Sequence, residues 1–328
     1  MAVGTHVSNA WPFCVDYDNA YVTVQPDGSV HIASGVPDMG TGTSTCLPQI
    51  AAEAMGVPFE MVEITYGDTE TTPFEIGSHA SRTCYAAGTA VMAATNDVRK
   101  QILEYAAPFF QAEPEDLMID DAVIYRTPKP GEPEPEPELT GLEALKKGKG
   151  NAVTMEEVAY HAHVRNKQFI GLGRIVPSNA PPWHACFADV EVDTETGQVT
   201  VNKMTAAHDV GKAINPIIVK GQIEGGVVQG LGYALTEEIV YRENGSQVQN
   251  EMHNYMVPTA ADIPELDSII VESSDPTGPF GAKGAGECSL VCPASALANA
   301  VANALDLDIS ELPMTPERLF TALQQNRN

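Results

Sequence analysis

The sequence is poor in basic residues, and this shortage excludes several kinds of partner. Its 328 residues include 18 Lys and Arg against 44 Asp and Glu, so the formal net charge is −26. A chain this acidic repels nucleic acid and anionic membrane surfaces. We therefore expect no nucleic acid and no membrane among its partners, although a local site for a small ligand can still carry the opposite charge.

Cysteine pairs and long apolar runs are also missing. The six cysteines form no Cys-x-x-Cys pair, which argues against zinc ribbons and iron–sulfur clusters. The eight histidines show no metal-ligand spacing, so we expect no metal bound directly by protein side chains. With no signal-peptide pattern and no apolar run of 18 residues, a cytoplasmic protein with reduced thiols is expected.

The sequence does contain a cluster of glycines that ends in a carboxylate. Residues 281–287 read GAKGAGE. The spacing fits neither a Walker loop nor a dinucleotide fingerprint, and a phosphate cradle would not end in a carboxylate. Glu287 is either a base that faces a ligand or a loop carboxylate that is solvated or caps a backbone amide. The residues alone leave both alternatives open.

The same order of elements occurs twice along the chain. Each half has a hairpin, a helix, a short strand ending in Asp, a small-residue loop and a long helix. The hairpins turn at Asp27-Gly28 and Thr196-Gly197, and the first helix has Ser44 or Thr45 as its predicted N-cap and Gly56 after its end. We predict an α+β fold of two related α/β halves, residues 1–180 and 181–328, with the two Gly-rich loops facing one pocket.

An acidic, proline-rich segment interrupts the first half. Residues 127–150 contain the run EPEPEPE, and proline cannot continue a helix or a central strand. We interpret this segment as an exposed excursion.

Three further segments are candidates for ligand contact. SHASRT, residues 78–83, combines hydroxyls with a guanidinium and suits a polyanion, or it is a turn with a surface arginine. DMGTGTST, residues 38–45, leads into a helix N-terminus that can attract an anion, or it is only a capped helix. Gln229 lies among apolar residues and glycines, and it must find a buried partner, either a ligand or a backbone group. Trp11 and Phe13 are interpreted as core residues, with a ligand wall as the alternative.

Together these segments resemble the C-terminal half of the molybdopterin subunit in the xanthine oxidase family of molybdenum hydroxylases. The matching stretches are DGSVHIASGVPDMGTG, QIAAEAMGV, GDTETTPFEIGSHASRTCYAAGTAV, HDVGKAINPIIVKGQIEGGVVQGLGYALTEE and GPFGAKGAGECSLVCPASALANAVANAL. They follow the order of the family and cover most of residues 20–305. The combination is specific, although no single stretch is.

The resemblance implies a role for each matching residue. Glu287 matches the catalytic glutamate, the base that activates a hydroxyl on molybdenum. Thr41 stands where the family has glutamine between two glycines at the pterin, and Cys288 stands where a proline often follows the glutamate. The implied cofactor-binding residues are Gly40, Thr41, Gly42, Ser78, His79, Ala80, Ser81, Arg82, Thr83, Gln229, Gly284 and Gly286, with Trp11 and Phe13 as candidate substrate contacts.

The resemblance also implies cofactors and partners. It implies molybdenum-molybdopterin, as a cytosine dinucleotide with a terminal sulfido or selenido ligand. Partner subunits would carry the missing molybdopterin half, 2Fe-2S clusters and FAD. The opening GTHVSNAWPFCVDYDNAYV resembles the medium subunits of nicotinate dehydrogenases, which implies oxidation of nicotinate, a small N-heteroaromatic substrate, to 6-hydroxynicotinate with NADP. A purine or aldehyde hydroxylase subunit and a non-catalytic pterin-binding module are the alternatives.

Overall fold

The computed structural model describes residues 1–13, 16–128, 137–175 and 178–326 of the chain. These residues form two compact units. Unit A contains residues 9–179 and 276–279, and unit B contains residues 1–8, 180–275 and 280–328. Cys14 and residues 129–136 of the predicted proline-rich excursion lie outside the described residues. The predicted domain limits, 1–180 and 181–328, stay a prediction.

Strands and helices occur throughout the described chain. The strands are β1 Ala2–Thr5, β2 Asp18–Val24, β3 Val30–Ser34, β4 Val62–Tyr66, β5 Leu117–Asp120, β6 Val123–Arg126, β7 Ala152–Thr154, β8 Phe169–Ile175, β9 Trp183–Val192, β10 Val199–Asp209 and β11 Glu265–Val271. The α-helices are α1 Thr43–Met55, α2 Gly88–Phe110, α3 Leu142–Leu145, α4 Met155–His163, α5 Pro216–Leu235, α6 Pro293–Leu305 and α7 Pro316–Asn326.

The main sheet of unit A has the strand order β4-β3-β2-β8. The hairpin β2-β3 is antiparallel, and its turn is closed by Gly28 in the left-handed region, at φ 84°. After α1, strand β4 pairs with β3 in parallel. Alternate residues of β2 and β3 are buried, as expected for a sheet whose one face carries the core. The predicted hairpin, helix and strand of the first half are confirmed.

The start of α1 differs from the prediction. Neither Ser44 nor Thr45 is the N-cap, because the helix begins at Thr43 after Gly42, which has a left-handed backbone. The carboxylate of Asp38, four residues before Gly42, caps the helix instead by accepting hydrogen bonds from the N–H groups of Gly42 and Ser44. The predicted end of the helix is confirmed, since Gly56 has φ 84° and its N–H donates to the carbonyl of Ala52.

Unit A also contains a small sheet that the sequence did not predict. Strands β5, β6 and β7 pair in that order, and the short helix α3 lies between β6 and β7 in the chain. Leu142 and Leu145 of α3 are buried, and the Leu142 N–H donates to the carboxylate of Glu157 on α4 at 2.8 Å. The segment 127–150 is therefore not an exposed excursion throughout, because its two leucines supply an apolar face that packs onto the unit.

Unit B repeats the connection of unit A. Its sheet has the order β1-β9-β10-β11, with the antiparallel hairpin β9-β10 turning at Gly197 and β11 parallel to β10 after α5. Strand β1 pairs with β9, so residues from both ends of the chain build this unit. The repeated order of hairpin, crossover helix and parallel strand confirms the predicted relation between two α/β halves.

The core of unit B lies between its sheet and the helices α5, α6 and α7. Ile223 of α5, Leu297 and Val301 of α6 and Leu319 of α7 are buried in one cluster with Met204 of β10. The segment Glu287–Leu305 is 19 residues long and, with a mean hydropathy of 1.4, apolar enough by composition to cross a membrane. Helix α6 is buried in this cluster, and a helix in the core of a protein is equally apolar because it packs against other apolar side chains.

Candidate functional site

The Gly-rich segment 281–287 is tied to the end of β10. The Lys283 N–H donates to the carbonyl of Val210, and the Lys212 N–H donates to the carbonyl of Gly281. Gly281 has φ 92°, and a Cβ there would meet the side chain of Ser274. This segment therefore needs glycine for its backbone conformation and for the close approach of a neighbour.

Lys283 forms an ion pair with the carboxylate at the end of β10. Its Nζ lies 2.7 Å from Oδ2 of Asp209, and both side chains are largely buried. Burial by itself raises the pKa of Asp209, but hydrogen bonds from Lys283, Gly211 and Ser273 outweigh it and hold that pKa below its ordinary value. The pair fixes the loop at the carboxyl end of β10.

Glu287 opens the short turn Glu287–Leu290 between the loop and α6. The next-but-one residue, Ser289, anchors this turn: its Oγ donates either to the carbonyl of Gly286, at 2.8 Å, or to that of Gln222 on α5, at 3.1 Å. A Cβ on Gly226 of α5 would overlap the Ser289 side chain. The missing side chain at Gly226 therefore lets the turn pack directly on the helix.

Gly284 of this loop and Cys288, which directly follows the loop, make contacts within unit B. The N–H of Gly284, a predicted cofactor residue, donates to Oγ of Ser8 at 2.8 Å, and Ser8 in turn donates to the carbonyl of Ala180. Cys288 is buried below the turn, and burial raises the pKa of its thiol to about 12. The thiol stays protonated at neutral pH, so it acts as a packing group.

A histidine from the other end of the chain faces Glu287. His6 follows β1, and its Nε2 lies 4.0 Å from Oε2 of Glu287. In this chain the Glu287 side chain is 55% exposed and the His6 side chain 25% exposed. The residues are far apart in sequence, so no local pattern could have indicated this pair.

Two more histidines lie in the sheet next to His6. His184 of β9 and His208 of β10 are paired across the strands, and their rings stack with centroids 5.3 Å apart. Both are buried. Burial lowers the pKa of each, that of His208 to about 4, and the charge of His6 lowers the pKa of His184 further. The two rings are therefore neutral at neutral pH.

Gln229 lies on the exposed side of α5. The structure does not bury it, so the argument that it needs a buried partner does not hold in this chain. Gly225, four residues earlier, has open space where a Cβ would be. Gly225 and Gln229 thus lie one turn apart on the exposed side of α5. The role of Gln229 in cofactor binding stays a prediction.

In unit A, the segment before α1 is organised by one carboxylate. Asp38 accepts hydrogen bonds from the backbone N–H groups of Gly40, Gly42 and Ser44, at 3.0, 3.2 and 3.0 Å, and from Oγ of Ser44. Burial alone would raise the pKa of Asp38, but these bonds hold it below its ordinary value. The helix N-terminus therefore already has its anion, and a second anion there would be repelled.

Arg82 is not available to a phosphate in the described structure. Its guanidinium is buried and binds three carboxylates, those of Asp16, Asp18 and Glu75. It also donates to the carbonyl of Tyr17. The interpretation of Arg82 as a surface arginine is wrong, since its side chain is buried under the loop. Its role in cofactor binding stays a prediction.

The loop above Arg82 has an unusual backbone. Ala80 and Ser81 have φ 51° and 57°, in the left-handed region that is uncommon for residues with a side chain. Ser78 and Thr83 join their hydroxyls at 3.1 Å, and the Arg82 N–H donates to the carbonyl of His79. Such a strained loop persists when its surroundings hold it, and here the buried Arg82 does so.

Trp11 and Phe13 are not core residues. Trp11 is 41% exposed and Phe13 is 85% exposed. Asn9 and Asn179 hold the backbone of Trp11 through hydrogen bonds to its N–H and carbonyl. The rings thus project from a fixed backbone, and contact with a substrate stays a prediction.

Comparisons with known proteins agree on one family. Residues 1–264 match the family model described as molybdopterin cofactor-binding domain. The chain is 32% identical over 323 residues to the xanthine dehydrogenase molybdenum-binding subunit of Escherichia coli O157:H7, covering 98% of this chain and 41% of that protein. It is 30% identical over 322 residues to the nicotine 6-hydroxylase large subunit of Paenarthrobacter nicotinovorans, covering 94% and 37%.

A solved structure shows the same fold over nearly the whole chain. The crystal structure of quinoline 2-oxidoreductase from Pseudomonas putida 86 has a TM-score of 0.83 at 29% identity, covering 98% of this chain and 42% of that one. The chain therefore spans about two fifths of the length of the curated relatives that it matches.

Proposed function

This chain belongs to the molybdopterin cofactor-binding domain family, and on that premise we propose that it is a molybdopterin-binding subunit of a xanthine oxidase-type molybdenum hydroxylase. The observation that supports this most is the position of Glu287. A carboxylate ends a Gly-rich loop whose backbone is fixed by Ser8, Ser289 and the Lys283–Asp209 pair. The backbone that carries this base is therefore held in place before the carboxylate accepts a proton.

The residues of this chain fit part of the cofactor better than the rest. Asp38 occupies the N–H groups of Gly40 and Gly42, so the segment suits a neutral ring with its own donors and acceptors, such as a pterin, and disfavours phosphate. Gly40 and Gly77 have positive φ, and a Cβ added to either would meet nothing within 4 Å, which leaves space for a flat ligand. Phosphates would then be bound elsewhere.

The predicted cofactor residues divide between the two units. Unit A contains Gly40 to Gly42 and Ser78 to Thr83, of which Arg82 supports the loop, and unit B contains Gln229, Gly284 and Gly286. When bound, the molybdenum cofactor would accept the two electrons that hydroxylation of the substrate releases. Glu287 would accept a proton at its carboxylate oxygen and would thereby be neutral until it loses that proton.

We further propose a small N-heteroaromatic substrate, with nicotinate first. Similarity to a nicotine 6-hydroxylase and to a quinoline 2-oxidoreductase supports this class. A xanthine dehydrogenase subunit among the relatives makes a purine the second candidate. The exposed rings of Trp11 and Phe13 could stack on either. The proposal also includes partner subunits that carry the other molybdopterin half, 2Fe-2S clusters and FAD. It further includes a cytosine dinucleotide form of the cofactor, NADP as the electron acceptor and a cytoplasmic location.

The test replaces Glu287 by Gln in the complex purified with its native partners. Glutamine keeps the shape of the side chain but cannot accept the proton, so turnover should fall by about 10²-fold or more while molybdenum per chain stays unchanged. Glu251→Gln, which alters an exposed carboxylate paired with His253, is the matched control. Near-normal turnover of Glu287→Gln, or a complete complex without molybdenum, would refute the proposal.

The substrate is tested separately with the wild-type complex. Nicotinate, quinoline, hypoxanthine and an aromatic aldehyde are offered under the same conditions, and kcat/KM is compared. We expect nicotinate to be preferred over hypoxanthine. A preference for the purine or the aldehyde would overturn the choice of substrate and leave the proposed role of Glu287 standing.

A further inference from the structure

His6 has a fixed orientation towards Glu287. Its Nδ1 lies 3.0 Å from the carbonyl oxygen of Val7, and a carbonyl can only accept a hydrogen bond. Nδ1 therefore carries the proton in the neutral ring, and Nε2 presents a lone pair. Nε2 is the atom that lies 4.0 Å from Oε2 of Glu287. The neutral ring thus offers a proton acceptor to the side chain that the proposed reaction protonates.

The distance of 4.0 Å is longer than a hydrogen bond. A rotation of the Glu287 side chain or one bridging water closes such a gap, and both are ordinary in catalytic pairs. His6 itself is held on both sides of its backbone. Its N–H donates to the carbonyl of Pro182, and the next-but-one residue, Ser8, accepts from Gly284 of the glutamate loop.

The groups around His6 favour transfer to this ring rather than past it. The titratable groups that face His6 are Glu287 on the loop and His184 on β9, with His208 on β10 behind His184. Burial lowers the pKa of both His184 and His208 and keeps them neutral at neutral pH, and a second positive ring beside His6 would be repelled. A proton on His6 therefore has solvent as its exit, through the exposed quarter of the side chain.

We propose that His6 is a positioning residue for Glu287 that takes the proton from this carboxyl and releases it to solvent between turnovers, an inference that rests on the proposed function. The proton leaves Oε2 of Glu287 and binds Nε2 of His6. Glu287 returns to the carboxylate, and His6 becomes an imidazolium with protons on both nitrogens. Loss of the Nε2 proton to water restores the neutral ring, so the step needs no oxidant or reductant.

The pair can be tested without turnover. In the full chain labelled with 15N-histidine, the Nε2 resonance of His6 is recorded by NMR at neutral pH. Glu287→Gln removes the facing carboxylate, so this resonance should shift. Glu251→Gln should shift the resonance of His253 and leave that of His6 unchanged. Identical His6 resonances in wild type and Glu287→Gln would overturn the proposal.

Turnover of the complete complex provides the second test. His6→Ala should lower kcat about tenfold with little change in KM, and added imidazole should restore part of the rate in proportion to its concentration. His253→Gln changes a surface histidine that also pairs with a carboxylate, and it should show neither effect. Molybdenum content is measured in each variant to confirm that the complex has assembled.

The outcomes separate the two proposals. A kcat for His6→Ala that is unchanged, or one that is low and independent of imidazole, would overturn the relay and indicate at most a structural role. Full activity of Glu287→Gln would instead mean that Glu287 is not the base. In that case the NMR comparison still reports whether His6 and Glu287 interact, so failure of the relay and failure of the proposed function remain distinguishable.

Discussion

Arg82 has more carboxylates around it than one positive charge can neutralise. Asp16 and Asp18 each lie 2.7 Å from the guanidinium, and Glu75 completes the set. Burial raises the pKa of Asp18 to about 8, and the nearby carboxylates act in the same direction against the attraction of Arg82. We therefore expect Asp18 to bind a proton near neutral pH and to join the network as a neutral acid.

Asp18→Asn tests this protonation through the pH dependence of stability. In the unfolded chain the pKa of Asp18 is 3.8, whereas in the folded chain it is about 8. Between these values the folded state binds more protons, so wild-type stability falls as pH rises and levels off above about pH 8. The stability of Asp18→Asn does not fall in this way, because asparagine has no carboxyl group to ionise. The variant should gain at least about 1.4 kcal/mol relative to wild type over this pH range.

Urea unfolding of the purified chain at about pH 4, 6 and 8 measures that difference. Asp27→Asn is the control, because Asp27 is an exposed residue of unit A whose pKa is lowered by hydrogen bonds from Ser29. Its stability contribution is already present at the middle pH and changes little at the highest. A constant difference between Asp18→Asn and wild type across this range would mean that Asp18 is ionised in the folded chain.

Single residues also show what the sequence can predict. Glu287 can be proposed from sequence because glycine and a carboxylate are local signals. His6 and Ser8 are not, because their contacts with the loop join positions about 280 residues apart and depend on the pairing of β1 with β9. Exposure of Trp11 and Phe13 is missed for a related reason: an aromatic residue in a polar segment does not reveal which face of the fold it meets.

At the scale of elements, hairpins and helices follow from local rules. Turns at Asp27-Gly28 and Thr196-Gly197 and the apolar helix α6 are where the sequence predicts them. The sheet β5-β6-β7 is missed because its strands are only three or four residues long, and residues 127–150 between two of them give a strong loop signal. Short strands of this kind are fixed by tertiary contacts more than by pattern.

Two neighbouring glycines of α5 test how the Glu287 turn is supported. A Cβ at Gly226 would overlap Ser289, whereas one at Gly225 would meet open space. Gly225→Ala should stabilise the chain by about 0.5–1 kcal/mol, since alanine is the better helix former. Gly226→Ala should destabilise it by about 1–3 kcal/mol, since the helix and the turn must separate. Both changes add the same methyl group, so their difference isolates the contact.

Urea unfolding gives the two free energies. A 15N-histidine spectrum of Gly226→Ala should also show a shifted His6 resonance, because the turn that carries Glu287 moves away from α5. Equal stability of the two alanine variants would mean that the turn relaxes freely, and Ser289 would then not be the anchor of Glu287.

At the scale of the whole molecule, unit B exposes large apolar side chains after the sheet crossover. Ile217 of α5 is 85% exposed, and Tyr241 and Met252 in the segment before β11 are 65% and 75% exposed. Large exposed apolar side chains are common where a protein binds a partner. We propose that these three side chains form part of the surface that binds the polypeptide with the other molybdopterin half, since the chain spans about two fifths of the length of its relatives.

The double change Tyr241→Lys and Met252→Lys tests that surface. Two lysines place charge where the partner would need apolar contact, so binding should weaken more than tenfold, which corresponds to about 1.4 kcal/mol. The same variant should self-associate less than wild type when the chain is purified alone. Val164→Lys, at a 55% exposed position after α4, is the control. Light scattering of the isolated chain and the yield of co-purified partner measure both effects, and equal partner yield from the two variants would place the interface elsewhere on the chain.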